Sequence, residues 1–308
     1  MSASTQRGEV GVRLTKQDWL LAALTCTSAL LFAGVSYGQA VGISQTKHNL
    51  GSTGVAGNNQ TSSTEEICVF CHTPHGADNS AAAPLWNKSI PTSAVYKVYD
   101  TGFSSTIDGE VLPVGSVSVT CLSCHDGTQA MDNIINAPGS GGYNTTGGGP
   151  NGLNWSWTGS TVDVATGKLL APTATSGVAN LGADLTNDHP IGIEYCGGGL
   201  SGSTITAQPT VTTGTCKDSD FKKPMVATIN AQPVWWVETG TDAVRTRTDM
   251  VLYTRDFANG KGPSVECASC HDPHVSFGQA GPNGKTAGAT FLRVANTGSA
   301  VCLSCHTK

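Results

Sequence analysis

The sequence predicts a mostly irregular fold, in which loops and a few short strands connect helices of only a turn or two. Three observations predict it. Glycine supplies 38 of 308 residues, about 12% against a usual ~7%, and Ser, Thr and Asn crowd the same stretches, so much of the backbone is expected in turns. Charged residues amount to 13%, roughly half the share of a typical soluble domain. Leu, Ile and Phe are thinly supplied, and a loop-rich chain so equipped cannot easily build a conventional core. Something other than side chains is expected to fill the interior.

The first element, residues 1–40, reads as a cleaved export signal. Arg7, Arg13 and Lys16 form a basic start, Trp19 to Val35 is apolar, and Gly38-Gln39-Ala40 offers the small residues a signal peptidase inspects. A retained anchor is the alternative, but an apolar run of about 17 residues is at the short limit for crossing a bilayer. Cys26 would suggest a lipid anchor, yet Thr25 is a poor residue before a lipidated Cys. Cleavage after Ala40 leaves no stable membrane span. It also removes three of 17 basic and two of 22 acidic residues, for a net charge of −6. Nucleic acid is excluded as a partner on that balance.

Four cysteine motifs carry the chemistry: Cys68-Val69-Phe70-Cys71-His72, Cys121-Leu122-Ser123-Cys124-His125, Cys267-Ala268-Ser269-Cys270-His271 and Cys302-Leu303-Ser304-Cys305-His306. Zinc ribbons and redox pairs also use CxxC, but neither needs His directly afterwards. With 8 His in 308 residues, one such His has a chance of about 1 in 40, and four in succession about one in a million for the attachment motif. In that motif two thiols form thioethers with the vinyl groups of a porphyrin, and the next residue lies under the iron. Four covalent haems c are therefore expected, numbered I to IV along the chain. Their attachment sites are Cys68, Cys71, Cys121, Cys124, Cys267, Cys270, Cys302 and Cys305. Their proximal ligands are His72, His125, His271 and His306.

Four His remain, His48, His75, His189 and His274, and four irons need distal ligands. Six-coordinate irons with two imidazoles leave no open position, which favours electron transfer over catalysis. Met131, Met225 or Met250 could take a distal place instead. The arrangement CHxPH, however, occurs twice, at His72-Thr73-Pro74-His75 and His271-Asp272-Pro273-His274, with Pro stiffening the turn. His189 stands before Pro190, in an extended-biased position. His75 cannot reach across the haem that His72 already holds, nor His274 across that of His271, so haems II and IV are their simplest partners. His48 and His189 then share haems I and III. Either His189 caps haem I and His48, on a short flexible arm, caps haem III of the next subunit, or His48 folds back onto its own haem I and His189 caps haem III. Cys196 and Cys216 are left over, and in an oxidising compartment they are expected to form a disulfide.

The motifs fall into a haem pair at 68–125 and another at 267–306, within one domain at 41–308. The middle, 127–262, is rich in Gly, Thr and Ser, with strand-like patches at Val234–Val237 and Met250–Tyr253. It reads as loops and short strands around the haems, with short helices only at the motifs. Four stacked haems are expected to form the core, and their removal to unfold the chain. Trp155, Trp157, Trp235 and Trp236 read as packing residues rather than electron stepping stones.

The run Ser44-Gln45-Thr46-Lys47-His48-Asn49-Leu50, then Cys68 to Gly76, Pro84-Leu85-Trp86-Asn87, Cys121 to Gly127 and Asp188-His189-Pro190, resembles the OmcE-like tetrahaem cytochromes, a group that polymerises into extracellular conducting filaments. The resemblance implies bis-histidine ligation, little regular secondary structure, electron transfer to acceptors outside the cell, and a distal ligand donated by a neighbouring subunit.

The expected function is thus an electron conduit, not an enzyme: a secreted protein at the cell surface or beyond. Its partners would be identical subunits joined head to tail, redox proteins and an extracellular acceptor. A monomeric periplasmic electron shuttle is the second expectation. A multihaem reductase with an open iron is the third.

Overall fold

In the computed structural model the described residues are 41–92, 95–99, 104–139, 142–172, 179–241, 243–276 and 291–308. They belong to a compact unit spanning Ala40–Lys308. The expected export signal at 1–40 lies outside the described residues.

The chain is sheet-rich, which corrects the expectation of an irregular fold with few short strands around a core of four stacked haems. The strands are β1 (Val41–Gly42), β2 (Gln60–Thr61), β3 (Trp157–Thr158), β4 (Ile193–Glu194), β5 (Thr210–Val211), β6 (Met225–Ile229), β7 (Gln232–Val237), β8 (Met250–Phe257), β9 (Gly260–Val265) and β10 (Val275–Ser276). Six of them form one antiparallel sheet in the order β4-β9-β8-β7-β6-β5. The average composition of the middle concealed three runs with strong strand character. Met225–Ile229, Gln232–Val237 and Met250–Phe257 are rich in Val, Ile, Thr and aromatics, which suit a pleated surface. The patches singled out at Val234–Val237 and Met250–Tyr253 lie in β7 and β8. A two-residue turn joins β6 to β7, with Asn230 and Ala231 both at positive φ (51° and 61°), the conformation that matches the twist of a tight hairpin.

Register decides what each face does. Val226 pairs with Trp235 and Trp235 with Leu252, while Met225 pairs with Trp236 and Trp236 with Val251. The first set joins Tyr195, Leu200, Val237, Met250 and Val265 in a core against which Cys270, Val301 and Cys305 also pack. Met225, Ala227 and Trp236 make a smaller cluster on the other face. One face of the sheet therefore holds the third and fourth cysteine motifs in place. The disulfide is present: Cys196 and Cys216 are joined with their Cα atoms 5.3 Å apart, closing a loop whose constraint is worth about 3 kcal/mol.

Residues before β4 are organised differently. Val69, Phe70, Met131, Ile134, Trp157, Val162 and Leu169 form one cluster, and Tyr96, Val114, Val119, Leu122 and Leu185 another. Around them the backbone groups of loops are satisfied by buried side chains. Asn87 donates to Val69 O (2.6 Å) and Asn136 O (3.0 Å) and accepts from Asn136 N (2.8 Å). Asp132 accepts from the backbone of Leu153 and Trp155 and from the Trp157 indole. Apolar clusters and buried polar side chains thus form the core of this part of the chain.

Candidate functional site

Each cysteine motif lies on a helical turn. The first is on a 3-10 turn (Cys68–Phe70), the second in α1 (Ser116–His125), the third on α2 (Cys267–Cys270) and the fourth in α3 (Ala300–Cys305). The His amide donates to the carbonyl of the first Cys from His72 to Cys68 (2.8 Å), His271 to Cys267 (3.1 Å) and His306 to Cys302 (2.9 Å), while Cys121 and His125 stand one turn apart within α1. One turn of helix thus brings two thiols and an imidazole to the same side.

Five of the imidazoles are oriented through their Nδ1 atoms. His72 donates to Pro84 O (2.7 Å), His125 to Ala179 O (2.6 Å), His48 to Pro273 O (3.1 Å) and His189 to Pro190 O (3.0 Å), while His274 Nδ1 faces Asp272 Oδ1 at 3.3 Å. A carbonyl or carboxylate on Nδ1 fixes the tautomer and leaves Nε2 as the nitrogen with a free lone pair. Burial, then the neighbouring His125, pushes His48 down to about 4. Burial likewise lowers His125. Desolvation and nearby His306 lower His189. Neutral rings are the form a metal binds.

These rings meet in pairs. His72 and His274 stack with centres 6.0 Å apart and planes 14° from parallel. His48 and His125 have centres 6.1 Å apart at 61°. Two metal–imidazole bonds of about 2.0 Å, plus the distance from each nitrogen to its ring centre, place such centres about 6 Å apart. The separations in these two pairs therefore fit an iron that would be held between two imidazoles. Among the described residues no group of three or more His, Cys, Asp or Glu could hold a bare metal ion, so the CxxC pairs do not converge on a zinc-type site.

This pairing differs from the sequence reading. His274 faces His72, not a haem IV ligand, and His189 lies near His306 rather than at haem I. His48 is not on a free arm. β1 pairs with β10 directly after His274, which pins the N-terminal segment and sets His48 against its own chain, with Phe291 stacked on it at 4.2 Å. His271 is close enough to His48 to lower it further. His75 is exposed, its carbonyl held by Thr73 (3.0 Å) and Asn136 (2.6 Å). Met131 and Met225 are buried in apolar clusters, and so is Met250.

The four motifs also neighbour one another in chain order. Cys71 lies near Cys124, Cys121 near Cys267, and Cys305 near Cys270, each pair close enough for the thiols to influence one another. A buried polar knot ties the second to the third. Glu266 accepts from Ser118 of α1 (2.5 Å), from Arg255 of β8 (2.8 Å) and from Ser264 of β9 (3.0 Å), while Ser118 accepts from Cys267 N (3.0 Å). The sequence reading missed these supports, and it missed Trp86, edge-on to His72 at 6.1 Å, and Phe221, tilted over His306 at 4.3 Å. The Pro84-Leu85-Trp86 run was the only legible signal among them.

No family model and no curated protein matches the chain.

Proposed function

We propose that this chain is an exported electron carrier with four covalent haems c and two imidazoles on each iron. The observation that carries this reading is the His72–His274 stack at 6.0 Å, each Nδ1 already engaged. Cys68 and Cys71, Cys121 and Cys124, Cys267 and Cys270, and Cys302 and Cys305 would hold the macrocycles. His72 would ligate with His274, His125 with His48, His306 with His189 and, of what remains, His271 with His75. Haem bound between two imidazoles supplies an iron that exchanges one electron with no position open to substrate. The protein's part is orientation: backbone carbonyls and Asp272 hold the rings, and the contacts between successive motifs keep the four sites in one series. Electrons would pass along that series to a redox partner or to an acceptor outside the cell.

Assembly into a head-to-tail filament of identical subunits is part of the proposal. A self-contained shuttle is the second reading, favoured by the placement of His48 on its own chain. Intact mass of protein made in a haem-attaching host tests the cofactor count: a gain of four haem units is expected, and three or fewer would sink it. Changing His274 to Ala is expected to let reduced protein bind carbon monoxide at one iron. Electron microscopy of the native protein separates filament from shuttle.

A further inference from the structure

Lys88 is fully buried. Its ammonium donates to the carbonyls of Ala130 (2.9 Å), Asn133 (3.0 Å) and Met131 (3.3 Å). Three N–H donors meet three acceptors, an arrangement that solvates a charged amine. Among the described residues no carboxylate forms an ion pair with it. Asp132, in the same turn, is taken up by Leu153, Trp155 and Trp157 instead. A buried cation without a counter-ion is costly, and Met would fill similar space without that cost.

What the charge acts on follows from its neighbours. Asn87, the preceding residue, donates from its amide to Cys71 O (2.9 Å) and from its side chain to Val69 O (2.6 Å), so Lys88 enters the interior beside the first motif. The Ala130–Asn133 turn that receives the ammonium follows the second motif. Lys88 also lies close enough to Cys71 for its charge to reach that sulfur. Inside a protein such a charge is felt strongly and salt screens it little.

We propose that Lys88 is a fixed internal cation that raises the reduction potential of the haem at Cys68 and Cys71, making this site the one that takes up the first electron. This rests on the four-haem reading above. The reduced iron carries one positive charge fewer than the oxidised iron, so a nearby cation favours the reduced form.

The test is redox titration of the full haem-loaded chain with Lys88→Gln, which keeps amide donors for the carbonyls, and Lys88→Met, which keeps the volume. One of the four one-electron steps is expected to fall in potential, while the others stay in place. Four unmoved steps, or one common drift, would overturn the proposal. Should neither variant load four haems, the otherwise wild-type chain with His274→Met supplies the second measurement. Replacing an axial imidazole with a thioether raises that iron's potential, so the step that moves marks the first site. That step is expected to be the highest of the wild-type four, and any lower rank overturns the proposal. A wild-type mass showing fewer than four haems would instead overturn the four-haem reading itself.

Discussion

The region before β4 and the region from β4 onward solve the same problem by different means. Both must hold cysteine motifs rigidly, and both must satisfy backbone groups that loops bury. From Ile193 onward, strands do this: β6, β7 and β8 pair over long registers, and Val226, Trp235 and Leu252 present a flat apolar face to Cys270 and Cys305. Before it, single polar side chains replace the ladder, with Asn87, Lys88 and Asp132 each serving two or three backbone groups or an indole. Sheet support is distributed, whereas side-chain support is concentrated in a few positions.

The comparison breaks most visibly at its cores. Trp236 is fully buried, and Trp236→Ala is expected to cost about 3–5 kcal/mol, read as a lower denaturation midpoint. Asn87→Ala removes two donors and an acceptor from buried backbone, for an expected loss of about 2–4 kcal/mol. A surface-sized effect below about 0.5 kcal/mol at Asn87 would show that the loops are held by something other than these side chains.

The seam between the regions sharpens the comparison through pH. Burial holds the Glu266 carboxyl above its ordinary 4.5, against the downward pull of Ser118, Arg255 and Ser264. The folded chain therefore binds this proton more tightly than the unfolded chain. That stability is fully present below 4.5 and is lost as pH rises through the raised value. Wild-type unfolding free energy is expected to fall relative to Glu266→Gln across that window. A difference independent of pH would mean that Ser118, Arg255 and Ser264 offset the burial, leaving the carboxyl equally acidic in the folded and unfolded chain. The smallest effect belongs to Lys97 and Asp184, paired at 3.4 Å with side chains 58% and 60% exposed. Lys97→Ala is expected to change stability by less than about 0.5 kcal/mol in the same denaturation measurement.

Much of the candidate site was legible in the sequence, because its grammar is local. CxxCH needs only five consecutive residues, and the spare Cys196 and Cys216 follow from the count of the rest. The facing of rings was not legible. His72 with His274 and His48 with His125 are long-range contacts, and the β1–β10 pairing that brings the segment before His48 beside the segment after His274 rests on two-residue strands, which leave almost no periodic trace. The sheet was partly legible: Val234–Val237 and Met250–Tyr253 stood out, but glycine and threonine around them diluted the pattern. Lys88 carried no signal, since a lone lysine in a loop reads as solvated. Only the turn at Ala130–Asn133 makes it an interior charge.

The pairing of His72 with His274 also has a consequence in time. A chain is made from its N-terminus, so the first cysteine motif appears early and its facing imidazole only near the end. The second motif emerges with His48 already made. Under the proposed ligation, the second site is therefore finished first and the first site waits for nearly the whole chain. Under that ligation, a polypeptide that stops between His72 and His274 would hold its first haem without the second imidazole, a reactive group in an unfinished protein. Reading the chain to its end is thus what makes its beginning safe.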